Sequence, residues 1–207
     1  MAAGERLDIL VVSAHADDIE IGAGGTILRM LAEHPGSRIT WVITTASSIR
    51  AAEARASAAA FSADAATHQV MVADLPDGRL PACLPQLKDL LEPLKAHAPD
   101  LVIGPHTDDA HQDHRALAEV VWQTFRDHLV WEYEIPKYDG DLGRPNLLVA
   151  IDDVTMSRKI ELLDAFYPSQ HTRSWWGGET VRAIARLRGI EAATVFAEAF
   201  HARKIVI

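Results

Sequence analysis

The chain of 207 residues has a single cysteine, Cys83, which excludes an internal disulfide framework and any cysteine-rich zinc site. It lacks an excess of positive charge: 20 Lys and Arg stand against 29 Asp and Glu, a formal charge of −9. Binding to a phosphate backbone needs a basic face, so no nucleic-acid partner is expected. Long hydrophobic runs are missing too. The apolar stretches 9–12 and 147–151 stop far short of the ~20 residues a membrane helix needs, so no membrane insertion is expected. Residues 1–8 are acidic where a secretory signal wants a basic patch and a long apolar core, and a cytoplasmic location is the default expectation. No G-x-S-x-G elbow supplies a serine nucleophile. Gly22-Ala-Gly24-Gly25-Thr26-Ile27 has isoleucine where the dinucleotide fingerprint needs its third glycine. Those glycines read instead as positions of close backbone packing.

What is present is an ordinary globular balance, 48% hydrophobic and 24% charged, at a length that suits one compact domain over 1–207. Short branched-apolar runs at 7–13, 39–44, 70–72 and 101–104 read as strands. Helices are predicted between them: 26–33, led in by the glycines; 49–66, capped by Ser47 or Ser48; 85–96; and 115–128 after the fourth strand. Pro76-Asp77-Gly78 is a turn signal. This alternation is the pattern of βαβ units, an α/β fold with a mostly parallel sheet and helices on both faces. The second half is less regular, with strands at 130–134 and 147–151, helices at 155–167 and 180–188, and a long loop at 135–146.

Two segments carry chemistry. Ser13-Ala14-His15-Ala16-Asp17-Asp18 follows the first strand, and His106-Thr107-Asp108-Asp109-Ala110-His111-Gln112-Asp113-His114 follows the fourth. Ligands of open α/β sheets sit outside the carboxyl ends of the strands, where both segments fall. Taken singly, Asp17 or Asp18 could simply cap a helix, and the second segment could be a solvated acidic helix start. Together they bring His15, Asp18 and His114 within reach of one metal. Two imidazoles and a carboxylate leave a position open for water, the arrangement of catalytic rather than structural zinc, and the same donors suit Fe2+. Water on such a zinc has a pKa near ~7. Asp17 is the candidate base, His111 the candidate acid or oxyanion stabiliser, and Asp113 a carboxylate able to fix an imidazole tautomer.

AHADDIEIGAGGT at 14–26 and HTDDAHQDH at 106–114 closely resemble the two signature motifs of the LmbE/PIG-L-like zinc-dependent N-acetylglucosaminyl deacetylases, in the same order. Softer likeness extends to Arg50-Ala-Ala-Glu53, Ser169-Gln170 and Ala197-Glu198-Ala199-Phe200. The resemblance implies a Rossmann-like fold and removal of acetyl from an N-acetylated amino sugar or glycoconjugate, releasing acetate and an amine. It implies zinc on His15, Asp18 and His114, Asp17 as general base, His111 stabilising the tetrahedral intermediate or donating a proton and tuned by Asp113, and Arg50 contacting substrate. Family members often form homo-oligomers. Ala16 and Thr107 replace family prolines, which loosens two loops without removing a functional group. An amidase acting on a thiol-sugar conjugate is the alternative within this chemistry, and a metal-binding module without hydrolytic activity is the alternative outside it. Trp175 and Trp176 could form an aromatic wall for a sugar, pack in the core or make a subunit contact; Tyr133, Glu134 and the 135–146 loop are candidates for the cleft lining. Cys83 reads as an incidental thiol, and His106, His171 and His201 are not counted as ligands.

Overall fold

The computed structural model describes residues 4–205, so the first three residues of the acidic start lie outside it. Seven strands form one sheet in the order β3-β2-β1-β4-β5-β7-β6. In the chain they are β1 (Asp8–Ser13), β2 (Arg38–Ile43), β3 (Thr67–Val72), β4 (Leu101–Pro105), β5 (Val130–Tyr133), β6 (Leu147–Ile151) and β7 (Phe196–His201). The first five run parallel, with β1 registered Ile9 to Ile39 on one side and Ile9 to Leu101 on the other. β7 runs antiparallel to both β5 and β6.

The helices are α1 (Asp18–Glu33), α2 (Ser48–Phe61), α3 (Leu84–Leu91), α4 (Gln112–Thr124), α5 (Asp153–Phe166) and α6 (Gly178–Glu191). Alternation along β1 splits the core in two: Ile9 and Val11 pack with Ile27, Phe61 and Leu162 on the face of α1, α2 and α5, while Leu10 and Val12 pack with Leu87, Leu117 and Phe125 on the face of α3 and α4. A strand covered on both faces reads as an unbroken apolar run, which is why DILVVS shows no polar alternation.

Several boundaries differ from the sequence expectation, two of them for a clear physical reason. α1 begins at Asp18, not Thr26, and takes in all three glycines. A Cβ at Gly22 would lie 2.8 Å from the Tyr133 ring and 2.9 Å from the carbonyl of Glu134, so close approach to β5 outweighs the low helix propensity of glycine. The helix expected at 85–96 stops at Leu91 and continues as a 3-10 turn, Glu92–His97, because Pro93 has no N–H to give the ladder. α2 ends at Phe61; Ser47 caps its start, accepting the Arg50 N–H at 3.5 Å. β7 has no counterpart in the expected elements.

Candidate functional site

β1 and β4 are sheet neighbours whose crossovers leave to opposite sides, and this switch point opens a crevice at their carboxyl ends. The turn after β1 carries His15, Asp17 and Asp18. Asp17 sits immediately before α1 with φ at +92°, an unusual backbone for a residue with a side chain. Asp18 opens α1, and its Oδ2 accepts the His15 backbone N–H at 2.8 Å, closing the turn. After β4, His111 is the cap residue of α4 and His114 lies in the first turn.

These elements bring three donor atoms together. His15 Nδ1 lies 3.2 Å from His114 Nε2 and 3.4 Å from Asp18 Oδ2, and His114 Nε2 lies 3.3 Å from Asp18 Oδ2. A tetrahedral ion with bonds of ~2.0–2.1 Å has ligands about 3.3–3.4 Å apart, so the triangle fits one face of such a site. The remaining ring nitrogens are held by carboxylates: Asp109 Oδ2 meets His114 Nδ1 at 2.9 Å, and Asp113 Oδ2 meets His15 Nε2 at 3.3 Å. That is how metal-binding imidazoles are commonly oriented. His111 also stands within ligand distance of His15 and His114. Its Nδ1, however, accepts the Asp113 backbone N–H at 3.3 Å, which leaves only Nε2 free, as a donor.

Asp17 and Arg50 lie beside the triangle. Arg50 reaches Asp17 Oδ1 at 2.8 Å and also donates to the carbonyl of Ala16. Asp17 Oδ2 is buried and has no hydrogen-bond partner among the described residues. A cavity of about 700 Å³ opens over the group, lined among others by Arg50, His111, Lys137, Tyr138 and Trp175.

The family model described as PIG-L, GlcNAc-PI de-N-acetylase, matches residues 10–125, over half of the chain and both motif segments. The chain belongs to the PIG-L family. Solved structures agree on the fold. The conserved protein TT1542 of Thermus thermophilus superposes with a TM-score of 0.76 at 23% identity, covering 97% of this chain and 96% of that one. N,N'-diacetylchitobiose deacetylase of Pyrococcus horikoshii gives 0.70 at 21% identity, covering 94% and 83%. GalB, a 4-carboxy-2-hydroxymuconate hydratase of Pseudomonas putida, gives 0.74 at 18% identity, covering 97% and 98%.

Within the PIG-L site the electrostatics follow from burial and pairing. Burial alone would lower both imidazoles, but Asp18 with Asp113 and Asp77 holds His15 up at about 12, and Asp18 with Asp109 holds His114 at about 9. Asp18 is driven down despite burial by the same two rings. Burial pushes Asp17 well up, aided by Asp18 and Glu20 and opposed by Arg50. His111 is lowered by burial and by the neighbouring imidazoles.

One orientation departs from the resemblance. Asp113 does not turn its carboxylate to His111: the backbone N–H groups of Gly78 and Leu80, at 2.6 and 3.0 Å, fix it against His15. Arg50 is engaged by the Ala16 carbonyl and the Asp17 carboxylate while still lining the cavity. Sequence reasoning missed three contributors. Asp109 stands in the sequence as one acid among several, Asp77 as part of a turn yet 3.2 Å from His15 Nε2, and Lys137, from the 135–146 loop, reaches Asp109 at 3.0 Å. His106 points elsewhere, bonding Glu132 at 2.7 Å and stacking on His201 at 3.8 Å. Trp175 lines the cavity, Trp176 packs on Tyr167, and both rest against the larger core cluster. Among the described residues, no helix is long and apolar enough to cross a membrane.

Proposed function

We propose that the chain is a metal-dependent N-deacetylase that hydrolyses the acetamido group of an N-acetylated amino sugar or glycoconjugate. The observation that carries this reading is the triangle of His15, Asp18 and His114 donors with the unpaired Asp17 Oδ2 beside it. Family membership supports it, as does the fold shared with a diacetylchitobiose deacetylase. A divalent cation on these donors, zinc or Fe2+, supplies Lewis acidity to the amide carbonyl and makes water easier to deprotonate.

The chain's own groups do the rest. Asp17 divides its carboxylate: Oδ1 is held by Arg50, and Oδ2 takes a proton from the attacking water as its oxygen bonds to the carbonyl carbon. The carbonyl oxygen becomes an oxyanion, to which His111 Nε2–H donates. When the C–N bond breaks, the proton passes from Asp17 to the departing nitrogen, and acetate and a free amine leave. Asp109 and Asp113 keep the two ligand imidazoles aimed inward. The cavity exceeds what one acetamido sugar needs, leaving Tyr138 and Trp175 to meet the rest of the substrate.

The test is acetate release from a panel of N-acetyl sugars and glycoconjugates, read by mass spectrometry on protein of known metal content, with and without a chelator. Chelator-sensitive acetyl loss from at least one compound is expected. Metal-loaded protein inert toward the whole panel would overturn the proposal and favour the metal-binding module.

A further inference from the structure

Lys159 of α5 and Glu198 of β7 form an ion pair of 2.6 Å, both side chains almost wholly buried, away from the donor triangle. A buried pair is weak evidence for stability, because desolvation offsets its attraction. Its purpose has to be sought in what it touches. Lys159 Nζ donates to the carbonyl of Ile21 at 2.6 Å. Glu198 accepts the backbone N–H of Gly25 through Oε1 at 2.8 Å and that of Thr26 through Oε2 at 2.6 Å. In a helix the N–H of Gly25 and the carbonyl of Ile21 are each other's ladder partners. Here that donor and that acceptor are both met by a charged side chain from elsewhere in the fold.

Two further facts tie this to the site. The Ile21 N–H donates to the Asp17 carbonyl at 2.9 Å, so the peptide units of one residue link Lys159 to the backbone of Asp17. At Gly25 a Cβ would stand 3.0 Å from Glu198 Oε1 and 3.3 Å from Cδ, so glycine there admits the carboxylate to the helix backbone.

We propose that Lys159 and Glu198 are positioning residues of the metal site: gripping α1 at Ile21, Gly25 and Thr26, they set how far its first turn reaches into the crevice and thereby where the Asp17 and Asp18 carboxylates point. The inference rests on the reading of His15, Asp18 and His114 as metal donors. Glu198→Gln is the direct probe, since its amide has one acceptor oxygen where the carboxylate offers two, and its NH2 faces donors. Lys159→Met/Glu198→Leu is the second, because an apolar replacement of a whole buried pair is often tolerated by the fold. Leu87→Ala, in the opposite core, is the control for lost stability alone.

Zinc titration of the apoproteins by calorimetry, with their melting temperatures, is the measurement. Both Lys159/Glu198 variants are expected to bind zinc about 10- to 100-fold more weakly, the range for groups that orient metal ligands. On a substrate found active with the wild type, kcat should fall while KM stays within about twofold, because Tyr138 and Trp175 are untouched. Zinc affinity within twofold of wild type in both variants, or an equal weakening in Leu87→Ala, would overturn the proposal while leaving the metal site standing. A wild-type protein that takes up neither zinc nor Fe2+ would instead remove the metal-site reading, and this inference with it.

Discussion

Asp17 and His114 sit one residue from and within the donor triangle, and exchanging them should separate chemistry from metal binding. Asp17→Asn keeps the shape and the Arg50 contact but loses the proton acceptor; turnover is expected to fall about 10²- to 10⁴-fold with metal content unchanged, checked by steady-state rates beside elemental analysis. His114→Ala should lose the metal. Asp109→Asn changes a group that meets the far nitrogen of His114, together with Lys137 and the His111 N–H, and no donor atom of the triangle; it should retain the metal with about 10- to 100-fold lower affinity. A different residue-scale effect belongs to the His106–Glu132 pair. Burial would raise Glu132, but His106, Thr107 and Trp122 hold it below its ordinary 4.5; burial would lower His106, but Glu132 lifts it above its ordinary 6.5. The depressed acid contributes stability that is present above pH 4.5 and lost as pH falls through its folded value. The raised imidazole contributes stability that is present below pH 6.5 and lost as pH rises through its folded value. The difference in melting temperature between wild type and Glu132→Gln should therefore be greatest between these two pH values and shrink on either side. A flat difference from pH 4 to 8 would remove the pair from the stability of the fold.

At the scale of elements, α1 and β7 explain both what the sequence made legible and what it hid. The strands with unbroken apolar runs, β1 and β4, were readable, and with them the loops at their carboxyl ends, because burial on two faces leaves a composition no loop would carry. The start of α1 was not, since its glycines serve contacts with β5 and Glu198 that lie far away in the chain. β7 was hidden by Glu198: a glutamate centred in FAEAFH argues against a buried strand until its Lys159 and backbone partners are known. The same holds for Asp77, Asp109 and Lys137, whose roles arise from loops meeting in space. Gly22→Ala tests the packing logic. Ordinary helix propensity would gain about 1 kcal/mol from alanine, but the new Cβ meets the immobile carbonyl of Glu134 at 2.9 Å. Overpacking of about 1–3 kcal/mol should win, seen as a lower melting temperature rather than a higher one.

At the scale of the molecule, the donor triangle joins the loop after β1 to the start of α4, so a bound ion cross-links two crossovers of the sheet. Ligands that bind only the folded state stabilise it, by about 2.7 kcal/mol at a hundredfold excess over Kd. Zinc should thus raise the melting temperature of the apoprotein by about 5–10 °C, on the scale of about 2–4 °C per kcal/mol for chains of this size. His114→Ala should show no such rise. The fold itself does not choose the reaction: a chain superposing on this one with a TM-score of 0.74 is a hydratase, so amide hydrolysis is proposed from the side chains at the switch point.

The left-handed backbone at Asp17 makes durability and turnover competing properties of a single position. An L side chain at positive φ is held there at a cost of order 1–3 kcal/mol, and this one also carries a carboxylate oxygen into the interior without a partner. Glycine would relieve both burdens. Asp17→Gly would also strand the Arg50 guanidinium, so the gain in heat resistance is what remains after that pair is lost; on the proposed mechanism the variant should do nothing to an amide, and selection for heat resistance alone would act against the proposed base.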